Sequence, residues 1–200
     1  MNRRTLVLVG MLLAGLADSL TAQESGPPLG GRWVVDIVHS QIDFRVRHLV
    51  GRVRGTFTNW YAVIITDNRG FRNGRVNVTV QTASLNTGNA MRDADLRTER
   101  FFAVDSFPEL TFRGTGMAVS DTTTEVVGIL SIKGHTHPAT FKGQFRGVAK
   151  DSEGHERIAF DATTTIDRRN YGMEWNSVVG ANTLVGNEVE ITIALEAVRV

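Results

Sequence analysis

The sequence contains no cysteine among its 200 residues. A disulfide therefore cannot stabilise the fold, and a cysteine thiolate can serve neither as a nucleophile nor as a zinc ligand. Proline is also scarce, with four residues, whereas glycine is plentiful, with 20. A chain of this length can bury a sufficient hydrophobic core by packing alone, so we expect one globular domain.

A strong net charge is missing as well. The chain has 22 basic and 21 acidic residues, which gives a formal charge of +1. Proteins that bind nucleic acid normally carry a basic excess on one face, so the sequence predicts no nucleic-acid partner. It also lacks a G-x-S-x-G nucleophile motif and a glycine-rich phosphate loop between a strand and a helix. These absences favour a binding protein over an enzyme.

The sequence has no apolar run long enough to cross a bilayer, which takes about 20 residues. Its longest run, residues 6–16, follows Arg3 and Arg4, and this arrangement is typical of a secretory signal. We therefore predict a signal peptide over residues 1–22, cleaved after Ala22 or alternatively after Ala17. A flexible leader over residues 23–31 and one folded domain over residues 32–200 would follow. The mature protein would then be periplasmic or secreted.

Apolar and polar residues alternate through most of the remaining chain. In residues 41–48, Ile42, Phe44, Val46 and His48 fall on one face, which is the period-two pattern of a half-buried strand. Comparable patterns predict strands near residues 32–37, 56–66, 75–85, 110–117, 125–133, 139–150, 157–167 and 188–196. Most connections are too short for parallel pairing, so the sequence predicts an all-β fold whose antiparallel strands close into an eight-stranded barrel.

One long stretch, residues 85–108, does not alternate. Within it, residues 91–100 combine helix formers with early acidic residues and late arginines, as the helix dipole favours. We predict one short helix there, with Met91, Leu96, Phe101 and Phe102 facing apolar surface. A helix of this length is only marginally stable alone in water. We therefore expect it to lie on the barrel and to cover one opening.

Small residues interrupt the apolar rows that are predicted to face the barrel interior. They are Gly114, Gly128, Gly143, Ala162 and Thr164. They favour an apolar lumen that is left partly empty, and Gly143→Phe would then block the lumen without unfolding the barrel. The alternative is that the glycines mark bulges that the coiled strands require.

Several motifs follow one another in a fixed order. They are Trp33-x-x-Asp36-x-x-His39-Ser40-x-Ile42-x-Phe44-x-Val46-x-His48-Leu49, Val53-x-Gly55-x-Phe57, Arg92-Asp93-x-x-Leu96-Arg97, Phe101-Phe102, Phe107-Pro108-x-x-Thr111-Phe112, Gly128-x-Leu130-x-Ile132-Lys133-Gly134, His137-Pro138 and Tyr171-Gly172-Met173. This string, over residues 32–197, resembles the YceI-like family of exported lipocalin-like proteins. The resemblance implies a lipocalin-like barrel whose apolar pore holds a polyisoprenoid or an isoprenoid quinone, with binding rather than catalysis and no cofactor. The residues 86–89, Asn-Thr-Gly-Asn, depart from the family pattern and leave the loop contacts open.

The expected ligand-binding residues combine inward strand positions with residues near the rim. They are Ile42, Phe44, Val46, His48, Phe57, Val78, Arg92, Arg97, Phe112, Leu130, Ile132, Phe141, Gly143, Phe145, Phe160, Ala162 and Met173. Arg92 and Arg97 would bind a phosphate or, alternatively, clamp the helix to the rim. His48 would meet a polar head group or a backbone carbonyl.

A metal site is not expected. His135 and His137 share the spacing of two ligands on one strand face, but a third ligand is missing from the sequence nearby.

Two functions remain open at this stage. The first is an isoprenoid carrier that exchanges its lipid with a membrane donor or acceptor protein. The second is a structural or stress-related module with a filled barrel and no ligand. The apolar run after Trp60 predicts a monomer or a homodimer that uses the outer face of residues 56–66, with Trp60 in the interface.

Overall fold

The structure is a computed structural model that describes residues 30–67, 70–120, 123–179 and 182–200. The predicted signal peptide and residues 23–29 of the predicted leader lie outside these ranges. Eight strands form the barrel, and two of them are interrupted. Their bounds are β1, Gly31–Val35 and Gln41–His48; β2, Gly51–Phe57 and Trp60–Asp67; β3, Gly70–Gln81; β4, Glu109–Ser120; β5, Thr123–Ile132; β6, His135–Lys150; β7, Glu156–Asp167; and β8, Val185–Arg199.

The barrel closes through pairing of β1 with β8. Trp33 pairs with Arg199 at one end, and His48 pairs with Val185 at the other. All other neighbouring strands are also antiparallel, and each pairs with the next in sequence. The predicted eight-stranded antiparallel barrel is therefore confirmed. We call the end of the barrel that contains Val185 the upper end. The lower end is the one that contains Gly31 and Arg199, the first and last residues of the barrel strands.

Local sequence explains the tight connection between β5 and β6. Lys133 and Gly134 both have positive φ, 50° and 75°. Two consecutive residues of this kind form the turn that matches the twist of a two-residue hairpin, and glycine adopts the conformation without strain. The sequence prediction placed residues 134–138 in a link, but His135 already begins β6.

The interruption of β2 reverses which face points inward. Phe57 and Trp60 are both buried, at 6% and 5% exposure, because the bend at Thr58 and Asn59 shifts the alternation by one position. The predicted interface role of Trp60 is therefore wrong. Tyr61 and Ile65 are the exposed apolar residues of this strand, at 46% and 43%.

The helix, α1, spans Ala90–Arg97 and ends three residues earlier than predicted. The side chain of Asn89 caps it by accepting a hydrogen bond from the backbone N–H of Arg92, at 3.0 Å. Leu96 packs against the core, whereas Met91 is 82% exposed. The expected apolar contact of Met91 is thus wrong, since it lies on the solvent side of the first turn.

The lower end of the barrel is filled. The rings of Phe71, Phe145 and Phe160 pack against one another with centroids 5.0 to 5.3 Å apart. Such edge-on and tilted contacts add to the burial of these large side chains. Open space in the barrel is therefore confined to the part above this cluster. Within the described residues, no helix has the length and apolar character that crossing a membrane requires.

Candidate functional site: an apolar cavity under a helical cover

Two adjoining cavities occupy the barrel above the phenylalanine cluster. The upper has a volume of about 130 Å³ and the lower of about 60 Å³. Ile42, Val78, Phe112, Phe141 and Ile193 border both, so the two spaces meet in the middle of the barrel. A single water needs roughly 10 to 15 Å³, so the upper cavity is much larger than a packing defect. Its lining is almost entirely apolar, which suits a hydrocarbon chain.

Most of the predicted ligand-binding residues border these cavities. Those on the upper cavity are Ile42, Phe44, Val46, Phe57, Val78, Phe112, Leu130, Ile132, Phe141 and Met173. Phe160 and Ala162 border the lower cavity. Their contact with a ligand stays a prediction, but the structure brings all twelve to the walls of two adjoining cavities.

Five predicted residues lie elsewhere. Phe145 belongs to the cluster that fills the lower end. His48 is exposed, because β1 has reached the hairpin at the rim by that point and its inward row has ended. Gly143, Arg92 and Arg97 also lie outside both cavities.

Gly143 does not open the lumen. A Cβ atom added there would lie 1.8 Å from the backbone oxygen of Asp161, on the neighbouring strand β7. Gly143 is therefore required for close approach of two strands, and Gly143→Phe would disrupt the barrel rather than merely block it. Gly128 is similar, because its Cβ would lie 2.4 Å from the backbone oxygen of Arg113.

Arg92 is a clamp. Its Nε donates to Oγ1 of Thr87 at 2.8 Å, and its Nη2 donates to the backbone oxygen of Thr87 at 3.0 Å. The buried carboxylate of Asp93 accepts from the same threonine, through its N–H at 2.9 Å and its hydroxyl at 2.6 Å. Both side chains thus hold the segment before the helix.

Arg97 holds a neighbouring segment. It donates to the backbone oxygens of Ala83 at 3.1 Å and Leu85 at 2.8 Å. Of the two roles predicted for these arginines, this geometry supports the clamp.

The cover of the upper cavity comes from α1, the turns that follow it and the segment after β7. Leu96, Phe101 and Phe102 border the cavity from the first side, and Met173 from the second. Lys133 links these parts, since its ammonium donates to the backbone oxygens of Glu99 at 2.6 Å and Gly172 at 3.2 Å. The cavity is therefore closed by a cover built from two separate segments.

The predicted set omitted a dozen residues that border the upper cavity. They are Asp43, Val80, Leu96, Phe101, Phe102, Leu110, Ile166, Arg168, Val185, Val189, Ile191 and Ile193. The alternation in β7 and β8 already placed Ile166, Val189, Ile191 and Ile193 inside. Nothing in the sequence distinguishes Arg168, which is 3% exposed, from its exposed neighbour Arg169.

Arg168 is the cation that borders this apolar space in the described part of the chain. Its Nε donates to the backbone oxygen of Gly186 at 2.8 Å. Its Nη1 donates to the backbone oxygens of Met173 and, at 2.9 Å, Trp175. Burial lowers the pKa of the Arg168 guanidinium from its ordinary value, but arginine remains charged at neutral pH. The upper cavity thus has a cationic group in a wall that is otherwise almost entirely apolar.

The histidine pair does not form a metal site. Nε2 of His137 lies 2.8 Å from the backbone oxygen of Asn170, and its ring packs against Tyr171. A different group, Asp36, His39 and Glu196, brings possible ligand atoms within 4.8 Å of one another. Nη1 of Arg157 donates to both carboxylates at 2.7 Å, so this group is an ion-pair network.

Comparison with known proteins identifies relatives along nearly the whole barrel. The family description that matches residues 33–197 is the YceI-like domain. A UPF0312 protein of Staphylococcus aureus strain N315 is 33% identical over 164 residues, which cover 80% of this chain and 94% of the relative.

Solved structures share the architecture. The YCEI protein of Campylobacter jejuni superposes with a TM-score of 0.67 at 27% identity, covering 77% of this chain and 90% of that one. A structure described as a polyisoprenoid binding domain from Saccharophagus degradans superposes with a TM-score of 0.66, covering 84% of this chain and 98% of that one. The latter is 15% identical, so its likeness concerns the fold alone.

Proposed function

We propose, because this chain belongs to the YceI-like domain family, that its barrel binds the tail of an isoprenoid lipid. The observation that carries this proposal is the pair of adjoining, almost wholly apolar cavities inside a closed barrel. The Saccharophagus degradans neighbour, which is described as a polyisoprenoid binding domain, supports the choice of lipid. The protein then acts by binding and carrying rather than by catalysis.

The energetics of burial suit a long tail. Each methylene taken from water into an apolar space contributes roughly 0.8 kcal/mol. Two or three isoprene units can therefore offset the entropy lost on association without a strong polar contact. A barrel with a fully packed interior, as in the alternative structural module, would offer no such gain.

Export is part of the proposal. The apolar run at residues 6–16 behind two arginines supports delivery to the periplasm or the exterior. A carrier there would receive its lipid from, or pass it to, a membrane donor or acceptor.

A homodimer stays a separate prediction. Tyr61→Glu is the substitution that tests it, because Tyr61 lies exposed on the outer face of β2. If sedimentation finds a dimer and Tyr61→Glu does not dissociate it, the interface lies elsewhere.

Binding of farnesol, a prenyl alcohol with three isoprene units, tests the proposed function. Val78 is buried where the two cavities meet, so Val78→Phe fills their junction. Thr79, the next residue of β3, points to the other face, and Thr79→Phe adds the same ring outside the barrel. Calorimetric titration of the delipidated protein measures the dissociation constant of each variant.

We expect Val78→Phe to weaken farnesol binding at least tenfold and Thr79→Phe to leave it unchanged. Thermal unfolding checks that Val78→Phe still folds, since overpacking costs about 1 to 3 kcal/mol. Equal affinity of Val78→Phe and the unmutated protein, or no binding by the unmutated protein, would reject the carrier function and favour the structural module.

A further inference from the structure

We infer that Arg168 forms an anion site at the upper end of the cavity, which holds the phosphate of a prenyl phosphate while the tail extends downward. This inference rests on the proposed function, and it names the head group that the carrier selects. Arg92 and Arg97, the arginines that the sequence predicts as phosphate ligands, instead donate to backbone and threonine oxygens.

Arg168 uses only part of its hydrogen-bonding capacity. The guanidinium has five N–H groups in a fixed plane. Its Nε and Nη1 donate to three backbone oxygens, those of Gly186, Met173 and Trp175. Its Nη2 is buried and has no hydrogen-bond partner among the described residues. Buried polar groups are normally satisfied, so an unsatisfied one beside a large cavity points to a missing acceptor.

The positive charge of Arg168 lacks a carboxylate bonded to it among the described residues. All three bonded partners of Arg168 are neutral carbonyls, and in the described ranges no carboxylate forms an ion pair with it. Asp167, its neighbour in sequence, is held by Arg169 through Nε at 3.0 and 3.1 Å. Asp167 attracts Arg168 electrostatically, but because its carboxylate is hydrogen-bonded to Arg169, it compensates the buried charge only in part. A buried charge that is incompletely compensated is unfavourable, and an anionic ligand would complete the compensation.

Asp43 is the other charged residue beside the upper cavity, and it does not neutralise Arg168. Its neighbours Ile42 and Phe44 belong to the inward row of β1. Asp43 therefore lies on the outward row, where it also borders an exterior groove with Arg45, Arg54 and Glu190.

The position of Arg168 suits a head group at the mouth of the cavity. Arg168 follows directly after β7, and its hydrogen bonds reach the start of β8 and the segment that carries Met173 and Trp175. It therefore lies at the upper end of the cavity, near the cover, while the lower end is filled by phenylalanines. A lipid with its phosphate at Arg168 has only one direction for its tail, which is down the barrel.

A purely structural role for Arg168 would hold the loops together and make no distinction between head groups. The experiment therefore compares three ligands with equal tails: farnesyl monophosphate, farnesol and a quinone that carries a three-isoprene chain. Inorganic phosphate is titrated as a fourth ligand. Each is measured on the full chain, on Arg168→Gln and on Arg146→Gln, which removes the same charge from an exposed residue that is ion-paired with Asp161 on the outside of the barrel.

We expect farnesyl phosphate to bind the unmutated protein roughly tenfold to a hundredfold more tightly than farnesol, the range of one charge-assisted hydrogen bond. Arg168→Gln should lose that preference and bind farnesyl phosphate and farnesol with about equal affinity, whereas Arg146→Gln should keep the preference. Inorganic phosphate lacks the tail, so it should not bind at concentrations at which farnesyl phosphate saturates the protein.

Three results would overturn the anion site. The first is equal affinity of the unmutated protein for farnesyl phosphate and farnesol. The second is a preference for farnesyl phosphate over farnesol that survives in Arg168→Gln. The third is an affinity for the quinone that exceeds the affinity for farnesyl phosphate and depends on Arg168. The first needs no variant, so the test stands even if Arg168→Gln does not fold. Binding of inorganic phosphate as tight as that of farnesyl phosphate would overturn the head-group assignment. If farnesol, farnesyl phosphate and the quinone all fail to bind, the proposed function itself is rejected, and this inference with it.

Discussion

The ring of Phe101 packs edge-on against the indole of Trp175, with centroids 5.5 Å apart and planes at 61°. Phe101 belongs to the segment after α1, and Trp175 to the segment after β7. The guanidinium of Arg100 lies over the same indole, 5.1 Å from its centroid. Trp175 therefore joins the two halves of the cover above the upper cavity, and a ligand that enters from this end must separate them.

Removing this contact should speed lipid exchange. An aromatic pair contributes about 0.5 to 1.5 kcal/mol beyond its buried area, so Trp175→Ala should raise the dissociation rate of farnesol about twofold to tenfold. A chase with unlabelled ligand, followed in time, measures the rate. Tyr61→Ala, which removes an exposed aromatic residue on the outside of the barrel, should leave it unchanged. An unaltered rate in Trp175→Ala would place the exit path elsewhere.

Arg97 should matter for stability and not for the ligand. Because its guanidinium satisfies the backbone oxygens of Ala83 and Leu85, Arg97→Ala should lower the free energy of unfolding by about 1 to 2 kcal/mol. Urea unfolding measures the change, with Arg113→Ala as an exposed control on β4 that should stay within about 0.5 kcal/mol. The affinity for farnesyl phosphate should be the same in Arg97→Ala as in the unmutated protein. A large loss of affinity without loss of stability would restore the phosphate role.

The ion pairs around Arg157 should make stability fall in acid. The hydrogen bond from Arg157, assisted by His39, lowers the pKa of Asp36 from 3.8 to about 2. A carboxyl whose pKa is lower in the folded state than in the unfolded state stabilises the fold at pH values above its unfolded-state pKa. This contribution disappears as the pH falls from about 4 to 2. Asp36→Asn should therefore be less stable than the unmutated protein at pH 7.

The stability difference between Asp36→Asn and the unmutated protein should shrink as the pH falls towards 2. Thermal unfolding at pH 7, 4 and 2.5 measures it. Glu125→Gln is the control, because Glu125 lies exposed and 3.5 Å from the exposed Lys142. A difference that stays constant over this pH range would show that the charge of Asp36 does not stabilise the fold.

Alternation predicted the barrel well wherever a strand runs without interruption. Ile42, Phe44 and Val46 line the upper cavity as their spacing indicated. The same rule failed at Trp60, because the bend at Thr58 and Asn59 changes the phase of the alternation, and at His48, where the strand leaves the barrel. Period two tells which residues share a face but not where a strand bends or ends.

The sizes of the inward-facing residues did not predict where the barrel interior is empty. The small size of Gly143 predicts open space, but the residue instead permits close approach of the backbone of Asp161. The space comes instead from the distance between the cover and the phenylalanine cluster, which depends on pairing across the whole barrel. The burial of Arg168 has the same origin, because its partner carbonyls belong to Met173, Trp175 and Gly186 and meet only in the folded chain.

Native mass spectrometry of the protein purified from its own host tests the central claim most directly. The account predicts a non-covalently bound mass that organic solvent extracts and that fragments as a chain of isoprene units. The matched Val78→Phe protein, purified in parallel, should lack it. Protein that emerges folded with no apolar ligand, or with only straight-chain lipids, would contradict the claim that this barrel holds an isoprenoid.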